Sequence, residues 1–336
     1  MTESTSTSHA DQAHRRKLTN VSTQFLNEIG LLVVIVILYI VFWSTARGFL
    51  TMNNQLSILR DAATIGIAAW GATLVIISKE IDVSVGPMVA FISVCFAFFL
   101  QWSIPVGLAI PMAILIGAAL GALAGTLRAV FNVPSFVATL GLYSALRGMA
   151  LFMTNALPVS FERSEVMRLL GRNVLGIPTS ALAMLILFVV FTFIARKTSF
   201  GRSVYAVGGN DQAARLSGIN VIKIRILVFT IAGILAGITG VFLTARLGSG
   251  NAGAASGLEF DVIAAVVVGG TALSGGRGTM LGTLLGVMVI TLIGNGLVLR
   301  GINPFFQEVV RGVIIVVAVL LNVMAGNWSA RKRGAS

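Results

Sequence analysis

Residues able to carry chemistry are few in this chain, and their placement removes most reaction classes. Both histidines, His9 and His14, lie in a polar N-terminal tail, so an intramembrane histidine–metal site or a Ser-His hydrolytic pair has no imidazole to use. The single cysteine, Cys95, stands inside an apolar run and leaves no intramolecular disulfide to form. The run nearest to a phosphate-binding loop, Ser274 to Gly278, lacks the Lys and the Ser/Thr hydroxyl that phosphate and Mg²⁺ require, which excludes a P-loop route to ATP hydrolysis. What remains is polar groups in apolar surroundings, where each costs free energy and points to function by default. Arg147, Glu308 and Arg311 fall inside apolar runs; Glu308 and Arg311 are three apart and can pair on one helix face, a structural alternative to a functional role. Asp82 and Asp261 stand at the ends of runs, where a helix N-terminus stabilises a carboxylate.

One hydrophilic stretch past the tail interrupts these runs, Ser199 to Arg225. Asn210 is a good N-cap, Asp211 places an acid in the first turn, and Gly218 can take the left-handed position past the end, so the residues punctuate a helix from Asp211 to Ser217. Two turns are not stable alone in water and must be held by flanking spans or by a partner chain. An ordinary basic loop is the plain reading; a docking element for a soluble partner is the sharper one.

The elements that position these residues are set by composition. With 56% hydrophobic and 11% charged residues over 336, the chain reads as an all-α, polytopic membrane protein rather than two or three soluble domains. About ten apolar runs follow one another: 29–46, 62–78, 84–101, 106–127, 135–153, 179–195, 226–246, 259–272, 279–299 and 306–324. Most hold 17 to 22 residues, enough to cross a hydrocarbon core of about 30 Å. The exception, 259–272, reaches only about 21 Å, so a broken or tilted helix, or a short buried one, is expected there. Residues 1–28 read as a disordered tail, 29–324 as one transmembrane domain and 325–336 as a basic tail. No small-x-small cleavage site follows the first apolar run, so it is expected to be a retained span.

Ten spans put both termini on one side, and the positive-inside rule makes that side cytoplasmic. Fifteen of the 24 Lys and Arg residues then fall on inner segments and seven on outer ones, with Arg147 and Arg311 within spans. The segment 196–225 faces the cytoplasm, and 154–178 is the largest external loop. The net charge of +12 follows from this orientation and not from nucleic-acid binding. Glu80-Ile81-Asp82-Val83 and Glu259-Phe260-Asp261-Val262, together with Pro134…Arg147-Gly148 and Pro304…Arg311-Gly312, suggest a gapped repeat displaced by five spans, hence inverted in the membrane; chance similarity of short motifs is the alternative. Gly117, Gly121 and Gly125, Gly233 and Gly237, and Gly282 and Gly286 form small faces suited to close helix packing.

The pattern G-R-x-x-Y-A-x-G-G-N-x-x-A-A-x-L-S-G-I-x-V, from Gly201 to Val221, resembles the signature of the ribose-type permeases of bacterial ABC sugar importers, in the branched-chain amino acid/ribose permease superfamily. Similarity continues through Leu258 to Thr271, Gly275-Gly276-Arg277-Gly278 and Ile81-Asp82-Val83-Ser84-Val85-Gly86. The resemblance implies a permease subunit of the inner membrane that is not itself an enzyme and carries no cofactor, with ATP and Mg²⁺ on a partner ATPase pair. It also implies a periplasmic or extracellular sugar-binding protein and a second permease copy, identical or related, as partners besides membrane lipid. Asn210, Asp211, Ala213, Ala214, Arg215, Leu216, Ser217 and Gly218 would dock into the ATPase, with Asp211 and Arg215 making polar contacts and Ala213, Ala214 and Leu216 the packed face. Arg163, Arg168 and Arg172 would receive the carboxylates of the binding protein, unless that loop is only a solvated connector. A monosaccharide or polyol path needs hydroxyl partners and aromatic faces, for which Ser84, Phe91, Asn155, Asn295, Phe306 and Gln307 are the candidates; lipid-facing or packing roles compete for each Phe. The alternative is a stand-alone secondary transporter or channel, for which Glu308 would be the midplane carboxylate.

Overall fold

The computed structural model describes residues 27–162, 164–174, 176–303, 305–317 and 319–320. Helices dominate: α1 Asn27–Thr45, α2 Met52–Ile77, α3 Val85–Gln101, α4 Val106–Ala129, α5 Ser135–Thr154, α6 Glu165–Gly171, α7 Thr179–Lys197, α8 Ser199–Gly209, α9 Asp211–Leu216, α10 Val221–Leu247, α11 Leu258–Val268, α12 Met280–Leu299 and α13 at 305–317. Local chemistry sets several starts. Pro105, Pro134 and Pro178 stand immediately before α4, α5 and α7, where a fixed φ and a missing N–H cost nothing. Asn220 and Thr279 cap α10 and α12 by accepting from the amides of Lys223 and Gly282 at 3.0 and 2.9 Å. The all-α expectation needs one amendment, because two short antiparallel ladders occur on loops: β1 (Val159–Ser160) pairs with β4 (Ser249–Gly250), and β2 (Asn173–Val174) with β3 (Ile177–Pro178).

Among the described residues, seven helices are long and apolar enough to cross a membrane: α1, α2, α4, α5, α7, α10 and α12. This is a multi-pass membrane architecture. Helix α3, at 17 residues, falls just short of that length. The run expected at 259–272 is an 11-residue helix, α11, ending at Gly269 and at Gly270 with φ +87°, so it rises only about 16 Å. Its partner in this respect is α3, which is preceded by a turn and an irregular segment, 78–84, instead of a continuous helix.

Helices α2 and α10 form the centre. Trp70 on α2 is fully buried and donates to Met184 O on α7 at 3.3 Å. Helix α4 lies against α10 with backbones almost touching: a Cβ on Gly117 would collide with Gly233 O, one on Gly121 with Phe229 O, and one on Gly233 with Gly117 O. The second small face, Gly282 and Gly286 on α12, meets Gly269 O and Ala265 O of α11 in the same way. Without a hydrophobic drive between helices in lipid, such backbone approach supplies the packing energy. Helix α1 stands outside, with Phe42 seated over Gly296.

Contacts sort the connections onto two faces. One carries Glu28, whose carboxylate accepts from Thr279 Oγ1 at 3.2 Å, with 77–80, Arg128, 199–225 and 270–279. The other carries 46–56, 155–162, 164–174, 176–178, 246–257 and 295–303, joined by Arg60 Nη2 to Asn173 Oδ1 at 2.9 Å, by the reciprocal Asn54–Asn295 amide pair and by β1–β4.

Candidate functional site

On the first face the stretch 199–225 folds into two helices, not one. Asn210 Oδ1 accepts from Ala213 N at 3.0 Å and opens α9. Gly218, at φ +82°, closes it: Ile219 N donates to Ala214 O and Gly218 N to Arg215 O, each at 3.0 Å. These are the paired bonds of a Schellman end, which satisfy the last carbonyls of the helix. Helix α8 was not legible from the sequence, because Gly201, Gly208 and Gly209 weaken helix propensity. Two of those glycines serve packing: a Cβ on Gly201 would strike Ile194 O and Ala195 O, and one on Gly208 would strike Ile77 O.

Helix α9 is held from beneath and bare on top. Ala214 is buried in the core of its own chain, whereas Leu216 is 92% exposed and Ala213, Arg215, Ser217 and Gly218 are exposed too. The expected packed face of Ala213, Ala214 and Leu216 is therefore corrected. At about 100° per residue, 213 and 216 share one side and 214 turns away. Asp211 also turns inward, its Oδ2 accepting from Arg225 Nη2 at 3.4 Å.

Arg225 is 7% exposed and leads to a buried carboxylate. Its Nε lies 2.8 Å from Glu80 Oε1, off the line of its own N–H. Arg128 Nε, at the end of α4, donates to both Glu80 oxygens at 2.9 and 2.8 Å. Beside this cluster the run Ser274–Gly278 packs on α8. Gly276 N donates to Ile77 O at 2.8 Å, and Tyr205 Oη donates to Gly278 O at 2.8 Å. Burial pushes the Tyr205 phenol above its usual range, with Arg196 opposing, so it stays a protonated donor. The glycines here serve close backbone approach.

On the opposite face α2, α10, α11, α12 and α13 line a half-open cavity of about 350 Å³. Two ion pairs border it: Arg246 Nη1–Asp61 Oδ1 at 2.7 Å and Arg311 Nε–Asp261 Oδ1 at 2.6 Å. Asn295, Gln307 and Thr291 line it as well. Asn295 is oriented by its exchange with Asn54. Gln307 spends its amide on Ile302 O at 2.8 Å, and among the described residues the buried Thr291 hydroxyl has no hydrogen-bond partner. Such a lining can exchange hydrogen bonds with a neutral, hydroxyl-rich solute, and the volume lies within the range of small-molecule sites, about 300–1,000 Å³.

Of the six path candidates, Asn295 and Gln307 come together here and the others do not. Ser84 is wholly buried and donates to Asp82 Oδ1, Phe91 packs in the core, Asn155 ends α5 in a left-handed conformation, and Phe306 faces outward. The Glu308–Arg311 pairing is also corrected: Arg311 turns to Asp261 on α11, and Glu308 is exposed. Arg147 donates to Ala252 O at 3.0 Å. Arg168 and Arg172 are exposed on the cavity side, and Arg163 lies outside the described residues. Asp61, Arg246 and Thr291 were missed from the sequence. An acid and a base, each near the border of an apolar run on the same side, was the available signal.

The family described as branched-chain amino acid transport system / permease component matches residues 54–319. The chain belongs to this family. It is 66% identical over 93% of its length to the "Probable ABC transporter permease protein YphD" of Escherichia coli K12, covering 94% of that protein. It is 38% identical to the ribose import permease protein RbsC of the same organism, covering 89% of this chain and 94% of that one. The L-arabinose ABC transporter permease protein AraH of Azospirillum brasilense is 35% identical, over 89% of this chain and 88% of that one. The protein is thus a transmembrane permease subunit of an ABC importer, and ATP hydrolysis belongs to a separate subunit. The permease works, as its family does, with an ATPase and a solute-binding protein.

Proposed function

We propose that this permease forms the path for a monosaccharide, ribose-like or a related polyol, in an importer of the bacterial inner membrane. The relatives named for ribose and arabinose import support the substrate class, and the neutral hydrogen-bonding lining around Asn295, Thr291 and Gln307 suits it. The observation that carries the reading is α9: a six-residue helix capped at both ends, gripped below by Arg225 and presenting Leu216, Ala213 and Arg215 to a partner. An exposed leucine on so short a helix fits a groove on an ATPase. Binding of ATP, with Mg²⁺, on an ATPase pair would press on two such helices, which calls for a second permease copy, identical or related.

In this reading the α9 face is cytoplasmic with both termini beside it, as the excess of basic residues there favours. Ten crossings, with α3, α11 and α13 completing the seven longer helices, would form an inverted repeat, and the meeting of the N-terminal turns of α3 and α11 is compatible with that symmetry. The binding protein would settle on the opposite face over Arg163, Arg168 and Arg172. The decisive experiment is uptake in proteoliposomes. Transport should require the ATPase and ATP, and Arg215→Glu or deletion of 211–217 should abolish it while the permease still inserts. Uptake that persists without any ATPase refutes the proposal.

A further inference from the structure

Residues 78–84 connect α2 to α3 with neither helix nor strand pairing, yet they are fastened along their length. At the α2 end Glu80 N donates to Val75 O at 3.1 Å and Lys79 N to Ile76 O at 2.9 Å, around Lys79 in the left-handed region at φ +65°. Further along, Ile81 N donates to Ser135 Oγ at 3.2 Å and Val83 N to Thr139 Oγ1 at 3.3 Å, both hydroxyls on the first turns of α5. Ser84 gives its amide and its hydroxyl to Asp82 Oδ1. Two residues on, the Glu259 carboxylate of α11 lies so close over Gly86 that a Cβ there would collide with it.

Glu80, 3% exposed, is the point at which this segment meets the docking face. One carboxylate joins Arg128 of α4 to Arg225 of α10, and Arg225 in turn reaches Asp211 of α9. Glu80 and Arg225 are both buried, so separating them would leave buried charge uncompensated, and they move together, with the more exposed Asp211 attached to Arg225 at 3.4 Å.

We propose that residues 78–84 are a strap that carries movement of α9 into the membrane, and that Glu80 is the positioning residue tying it to the α9 docking helix through Arg225. At its other end the strap pulls α5 by Ser135 and Thr139 and shifts the contact of α3 with α11. Lys79, left-handed at φ +65°, is the joint between rigid α2 and the strap. The proposal rests on the reading of α9 as the ATPase contact.

The test is a double-mutant cycle between two residues that do not touch, Glu80 and Asp211, in the complete importer in proteoliposomes. Labelled ribose, arabinose or xylose is used, whichever the wild type takes up, and solute moved per ATP hydrolysed is measured. Glu80→Gln is expected to lower this quotient about tenfold and Asp211→Asn about threefold, while the permease still co-purifies with its ATPase. The double variant should be no worse than Glu80→Gln alone, since both act through one chain of contacts. Losses that multiply to about thirtyfold, or a wild-type quotient for Glu80→Gln, overturn the strap. Should Glu80→Gln fail to assemble, Arg225→Lys decides. It keeps the charge but cannot hold Glu80 and Asp211 at once, so a reduced quotient supports the strap and an unchanged one overturns it. Wild-type uptake without the ATPase would instead defeat the importer reading itself, a distinct outcome.

Discussion

The two ends of the permease treat charge in opposite ways. Around Glu80 the carboxylate is 3% exposed, both oxygens are engaged by Arg128, and the surrounding backbones meet at Gly208, Gly275 and Gly276 with no space for a Cβ. Around the cavity the paired side chains stay partly open, 36% and 39% for Arg246 and Asp61, 29% and 16% for Arg311 and Asp261, with the Thr291 hydroxyl left over. A buried carboxylate held between two guanidinium groups resists rearrangement, whereas more solvated pairs can exchange partners at little cost. On the function proposed above, the contrast assigns force transmission to one end and accommodation of a solute to the other.

Several changes would break or sharpen that contrast. The largest effect is expected from Gly208→Ala, whose Cβ has backbone on two sides. A cost of about 3 kcal/mol, the upper end for overpacking, should appear as a lower melting temperature in detergent and loss of uptake. Gly117→Leu should force α4 from α10 and cost about 1–3 kcal/mol by the same measurement; a neutral result would show that the two helices do not approach as closely as described. At the cavity end Thr291→Val should barely change melting but shift the solute concentration at half-maximal uptake severalfold, because the hydroxyl makes no hydrogen bond that the substitution would break and is left for a ligand to engage, a contact typically contributing about 0.5–1.5 kcal/mol. Equal melting and equal uptake would remove the cavity from the path. The smallest effect is expected from Arg168→Glu with Arg172→Glu. Both side chains are exposed, so stability should hold while association with the binding protein slows and loses its dependence on salt in stopped-flow measurements.

Much of this was readable in advance where local chemistry is strong. The Asn210 cap, the Gly218 terminator and the small faces of α4, α10 and α12 act through neighbours in sequence or through the mere lack of a side chain, so residue type alone announces them. Charge pairing was not readable in the same way. Arg311 has Glu308 one turn away and turns instead to Asp261, because its side chain faces α11 and not its own helix surface. Ser84 offered a hydroxyl at a span end, yet Asp82 two residues before it consumes that hydroxyl.

By itself the sequence determined that this chain crosses a membrane many times, lacks a P-loop, and carries a short capped helix between apolar segments. Those properties depend on composition, on absent residue types and on contacts within a few residues. Only the tertiary structure decided that Glu80 sits between Arg128 and Arg225, and that Asn295 and Gln307 share a cavity with two ion pairs. Partners 48, 145 and 12 positions apart are set by how helices pack in three dimensions, and pairing free energies at such distances leave no local trace in the order of residues.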